Sequence, residues 1–267
     1  MGLTEQIQRI ISRIQDDLGV VAGGYPVAEI GGIFEGLSQD FQSLAACNLL
    51  LFGAGNGFFR NLFTSGYTRR YFLRRCRAET GLQNEYMAIS RSQSFFDVVA
   101  AGSLDLAREI ATLSPTEWIP DGEYEDDFCY VWFLHSFIQD LVRPDNAYMS
   151  SVLERFERCV SKDTSARLEI CWSLLLRDQV TFDKSFSELL EFREAQVEEG
   201  MPLAGDDPGY GPRGAIFVEG LALIRLASTA GLVTREEYAL CPVIAHVHSE
   251  RVPEEDIYED MDRIIAG

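Results

Sequence analysis

Wherever apolar residues recur regularly in this chain, they recur at helical spacing, and that limits its fold more than any other feature. Ile7, Ile10, Ile11, Ile14 and Leu18 follow an i, i+3, i+4, i+7 pattern, the stripe of one helix face. Thr4 stands before them as an N-cap. Gly23, Gly24 and Pro26 stop the pattern and open a Gly-rich connector that runs to Gly36. Helices are expected next over 39–52 and 58–77. The stretch "RSQSFFDVVAAGSLDLAREIATLS" from Arg91 reads as a short helix, a Gly-Ser turn and a second helix, which is an αα-hairpin. Further helices are expected over 146–160, 164–178, 182–199, 214–230 and 234–240, with a long loop, "EEGMPLAGDDPGYGPRG", from Glu198. No alternating run of β-branched residues suggests a sheet. The reading is all-α: one globular domain over 1–267, built of packed helical hairpins as an irregular bundle or a short solenoid-like array.

Charge narrows the partners. The 267 residues hold 42 acidic and 23 basic side chains, for a net charge of −19, and Lys162 and Lys184 are the two lysines. Such a balance opposes binding to nucleic acid, which needs phosphates neutralised, and docking on anionic membrane. It favours encounter with a basic protein, although solubility alone also explains it. The six cysteines are scattered, with no C-x-x-C pair and several in apolar runs. That pattern suits free thiols in a reducing compartment, hence the cytoplasm. The N-terminus carries charges inside its apolar pattern, unlike a signal peptide, and "LAACNLLLFGAG" is too short to span a bilayer.

Six carboxylates lie between Glu117 and Asp127 with no basic residue among them, and "FCYVWFLHSFI", apolar almost all round, follows at once. Three readings are open. Glu123, Asp126 and Asp127 stand at i, i+3 and i+4 and could hold Mg²⁺, yet no further E-x-x-H motif completes a di-metal bundle. The acids also suit a helix start, capped by Asp121 and favoured by the helix dipole, ahead of a central buried helix. Exposed carboxylates beside Tyr124 would equally suit a partner surface.

Other chemistry is sparse. His246 and His248 are two apart and read as surface histidines, and His135 reads as a hydrogen-bonded core histidine. "LLLFGAGNGFF" lacks the third glycine of a dinucleotide turn and reads as a connection between helices. Arg60, Arg69, Arg70, Arg74, Arg75 and Arg77 form a basic cluster without an intervening acid. A phosphate site is one reading; pairing with neighbouring acidic helices is the favoured one. No nucleophile–base set, metal motif or cofactor loop is recognisable.

The order of features resembles the immunity protein 49 family of bacterial polymorphic toxin systems. The resemblance covers roughly residues 70–245 and rests on "SFFDVVAAGSLDLAREIATLSP", "YEDDFCYVWF", "FDKSFSELLEFREAQ", "GAIFVEGLALIRLASTAGL" and "EYALCPVIA" in that order. It leaves out the N-terminal 60 residues and the acidic tail at 250–267. The resemblance implies an all-α protein without enzymatic activity or cofactor that neutralises a toxin by binding it. It names no toxin and supplies no catalytic residue. Combined with the charge, it suggests an acidic surface that occludes a basic cleft. Three acid-rich segments with tyrosines are candidates: Glu123, Tyr124, Glu125, Asp126 and Asp127; Asp206, Asp207 and Tyr210; Glu254, Glu255, Asp256 and Tyr258. A helical scaffold of the tetratricopeptide kind is the alternative, although no 34-residue period recurs.

Overall fold

A computed structural model describes residues 2–53, 55–79, 84–141, 146–200, 205–246 and 256–258. The chain is all-α. Its helices are α1 (Leu3–Ala22), α2 (Gly31–Phe52), α3 (Gly55–Ala78), α4 (Gln93–Ala100), α5 (Leu104–Leu113) and α6 (Glu125–Gln139). They continue as α7 (Asn146–Cys159), α8 (Ser165–Leu176), α9 (Gln179–Gly200), α10 (Tyr210–Ala215) and α11 (Val218–Ala230). Short 3-10 turns lie at Glu85–Met87, Ile89–Arg91 and Val243–Ala245.

From α1 to α9, helices adjacent in sequence pack against one another. α2 lies between α1 and α3, α3 carries the α4–α5 hairpin, and α5 to α9 follow one another side by side. The array then closes on itself, because α10 returns to α2 and α11 packs along α4. One hydrophobic cluster, from Ile10 to Tyr258, takes residues from α1 to α9 and from α11. Aromatic residues fill it: Phe34 against Phe72, Phe96 against Tyr130, and Phe182 against Phe186. In α6, Phe128 to Val131, Phe133 to His135, Phe137 and Ile138 are all buried.

Several boundaries differ from the sequence reading, each for a tertiary reason. α1 begins at Leu3 after Gly2, so Thr4 lies inside the first turn and does not cap it. α2 begins at Gly31, within the expected connector. The Tyr86 ring seats directly on Gly31, where a Cβ would come within 2.5 Å of it, so packing outweighs the helix cost of glycine. Asp121 does not cap α6. Residues 119–123 form a separate turn, and Tyr124 occupies the cap position without a side-chain bond.

The segment 234–240 is not helical. Tyr238 and Cys241 form an isolated antiparallel bridge. The Leu240 carbonyl accepts from the Phe217 amide at 2.8 Å, at the start of α11. Tyr238 packs edge-on against Phe186, with centroids 5.1 Å apart. These contacts with α9 and α11 use the backbone groups and side chain that a local helix would need. The six cysteines are free thiols.

Candidate partner surface

The stretch joining α5 to α6 is held by its own polar groups and by Ser90. Gly122 and Glu123 donate their amides to the Ile119 carbonyl at 2.9 and 3.1 Å. The Glu123 carboxylate accepts from the Ser90 amide at 2.9 Å and from the Ile119 amide at 3.2 Å. The Trp118 indole donates to the Glu123 carbonyl at 3.1 Å. A loop tied at this many points is preorganised, which lowers the entropy cost of binding through it. At its end Tyr124 projects with 79% of its surface exposed, while Glu117 and Asp121 are exposed beside it in sequence.

The carboxylates that follow are committed inside the protein. Glu125 pairs with Arg155 at 2.8 Å, and the Arg155 guanidinium also lies over the Trp118 and Phe128 rings. Asp126 accepts from the Thr164 hydroxyl at 2.9 Å. Asp127 faces Arg167 at 3.3 Å, and Arg167 makes two bonds to Glu219, at 2.9 and 2.8 Å. Glu219 in turn accepts from the Tyr130 hydroxyl at 2.9 Å. Burial raises the Asp127 carboxyl above its ordinary value, with Arg167 opposing. Burial alone would lower Arg167, but Glu219, Tyr130 and Asp127 more than reverse that. Glu123, Asp126 and Asp127 therefore turn to three different sets of partners, and they do not converge on a common point. Among the described residues no group of three or more His, Cys, Asp or Glu is placed to hold a metal ion. The acids do occupy the first turn of α6, where the helix dipole favours them.

The second segment is mixed. Asp206 is exposed. Burial pushes Asp207 up, but the Gly209 amide, Arg213 and Arg13 outweigh it and hold the carboxyl below its usual range. Arg213 lies 2.5 Å from Asp207 and Arg13 lies 3.3 Å from it. Tyr210 is half-buried and packs against Gly200. In the third segment Glu254 and Glu255 lie outside the described residues. Asp256 pairs with Arg70. Tyr258 is buried, stacks on Tyr71 with centroids 4.8 Å apart, and shares a hydrogen bond of 2.9 Å with the Thr68 hydroxyl. Its ring serves the contact with α3 and offers no exposed anchor.

Arg69, Arg70, Arg74, Arg75 and Arg77 of the arginine cluster are answered from neighbouring helices and loops. Arg70 and Arg74 both pair with Glu109 on α5. Arg77 donates to the Thr112 and Leu113 carbonyls. Arg69 is buried and donates to the carbonyls of Tyr86, Met87 and Ala88. His135 is buried against Phe95, 3.4 Å from the Ser92 hydroxyl, and burial lowers its pKa to about 3.

Two features escaped the sequence reading. Leu50, Leu51 and Phe52 end α2 exposed, at 42%, 38% and 65%. Val243 and Ile244 are exposed too, and Ile244 approaches Gly55 at the start of α3. The signal was the run "LLLF", apolar on every face at a helix end. Asp97 is wholly buried on α4; a lone acid within "SFFDVVAA" was its signal.

A family model described as Immunity protein 49 matches residues 50–243, well over half of the chain. The match starts earlier than the resemblance suggested and takes in all of α3 with its arginines. No curated protein and no solved structure matches.

Proposed function

The chain belongs to the immunity protein 49 family, and from that premise we propose that it neutralises a cognate toxin domain by binding it, without catalysis. The observation that carries the surface assignment is the tied loop that presents Tyr124 beside Glu117 and Asp121. A rigid exposed aromatic with exposed carboxylates close to it in sequence suits a basic partner, since aromatic anchors dominate interface energy and charge sets encounter rate. Exposed Glu188, Glu191, Glu194 and Glu198 along α9 add to the acidic field. A basic toxin cleft, shaped for nucleic acid or nucleotide, is the kind of target such a surface would occlude. The free cysteines suit action in the cytoplasm, and we read the chain as one domain. No helix among the described residues is long and apolar enough to cross a membrane.

The test is growth rescue by co-expression with the toxin domain encoded beside this chain. The unaltered protein is expected to rescue growth, and its failure at high expression would refute the immunity reading. Tyr124→Ala combined with Asp121→Arg is expected to abolish rescue while leaving the circular dichroism spectrum and thermal midpoint unchanged. Full rescue by that variant would remove this surface and leave the family assignment standing.

A further inference from the structure

We propose that a cavity between α2, α4 and the α8–α11 half of the chain is a binding site for a small oxyanion, either phosphate or carboxylate. The cavity holds about 410 Å³, and Arg167, Arg193 and Arg213 line it with Glu219, Gln42 and Gln93. Three guanidiniums thus meet one carboxylate in its wall. Two of the three are answered: Arg167 by Glu219 and Asp127, and Arg213 by Asp207 and the Ser43 hydroxyl.

Arg193 is not. Among the described residues it has no carboxylate within ion-pair distance. One Nη reaches the Arg213 carbonyl at 3.5 Å, a stretched bond, and the guanidinium lies 5.6 Å from the centre of the Phe217 ring. Its Nε is buried without a hydrogen-bond partner. Burial lowers its pKa, and Arg167 and Arg213 push the same way against Glu219 and Tyr210. A half-buried cation beside two like charges, with its nearest carboxylate already bonded to Arg167, gains from an anion that joins it. That this occurs in a chain with nineteen surplus negative charges points to a place kept for an anion from outside.

The cavity floor fits the same ligand class. The Gln93 amide donates one hydrogen to Gln42, and Gln42 donates to Asp97, so Gln93 keeps a second hydrogen as a neutral donor. A planar guanidinium with its Nε and Nη hydrogens side by side is suited to grip two oxygens at once. The site stands independently of toxin binding.

Isothermal titration of the full-length protein at constant ionic strength, with inorganic phosphate and separately with N-acetylglutamate, tests this. Saturable one-to-one binding of either anion supports the site and tells a tetrahedral ligand from a carboxylate. Arg193→Gln is expected to weaken that binding by about tenfold or more, the loss of a charge-assisted pair of hydrogen bonds. Arg193→Lys, which keeps the charge and so guards against a folding defect, is expected to fall between. Arg60→Gln, at an exposed position on α3, is expected to bind as the parent does. No saturable binding of either anion, or equal binding by Arg193→Gln, would overturn the proposal.

Discussion

Replacing Asp97 by asparagine should make the protein less sensitive to rising pH. Asp97 has no solvent exposure, and the interactions that set its ionisation include no charged group. Its carboxyl accepts from Gln42 Nε2 at 2.6 Å and from the Ser65 hydroxyl at 2.5 Å, with Ser94 3.0 Å beyond Ser65. Burial raises its pKa from 3.8 to about 7, and the two hydrogen bonds offset only part of that rise. Between those values the folded chain holds a proton that the unfolded chain has released. Stability therefore falls as pH rises through the window and levels off above the folded pKa. At about 1.4 kcal/mol per unit, the shift amounts to roughly 4 kcal/mol in all, of which about 2–3 kcal/mol falls between pH 5 and pH 8.

Asparagine keeps the shape, accepts from Gln42, donates to Ser65 and has no proton to lose. In urea titrations followed by circular dichroism, Asp97→Asn should lie within about 1 kcal/mol of the parent at pH 5. It should then gain on the parent by about 2–3 kcal/mol at pH 8, or about 5–10 °C in thermal midpoint. His135 acts with the opposite sign. Its pKa is depressed from 6.5 to about 3, so its contribution is present above pH 6.5 and is lost as pH falls; being common to both chains, it cancels in the difference. Parallel pH profiles for parent and variant would refute the reasoning, since Asp97 would then not titrate in this window.

Other outcomes follow from particular contacts. A Cβ on Gly66 would lie 2.1 Å from Val98 Cγ1 and 3.1 Å from Leu106 Cδ2, so Gly66→Ala should cost about 1–3 kcal/mol by forcing α3 away from the α4–α5 hairpin, read as a lower thermal midpoint. Arg167→Met strands Glu219 and Asp127. It should cost roughly 2 kcal/mol at neutral pH, less than a fully buried pair because Arg167 keeps some exposure, and adding Glu219→Gln should recover part of the loss in the same melt. Tyr258→Phe keeps the stack on Tyr71 but loses the bond to Thr68, for about 1 kcal/mol in urea unfolding. Tyr258→Ala should cost about 3 kcal/mol, and a loss near zero would show that the ring is not packed against α3.

The sequence by itself determined the class of fold and most of its elements. The stripe from Ile7 to Leu18 and the nearly all-apolar run from Phe128 appear as helices, and the Gly-Ser turn separates α4 from α5, within a few residues of where local pattern put them. Helical spacing is a property of one segment, so it can be read from that segment alone. The order of segments likewise sufficed to suggest the family.

Tertiary structure decided how the charges are used. The acids from Glu123 to Asp127 look like one patch in sequence, yet their partners are Ser90, Arg155, Thr164 and Arg167, up to 40 positions away. Tyr258 looks like an exposed anchor and is a buried clasp on α3. Segment 234–240 has helical character and gives it up to bond with Phe217. Pairing energies depend on which helix faces come together and how much water they exclude. Neither is fixed until the array closes through α10 on α2 and α11 on α4.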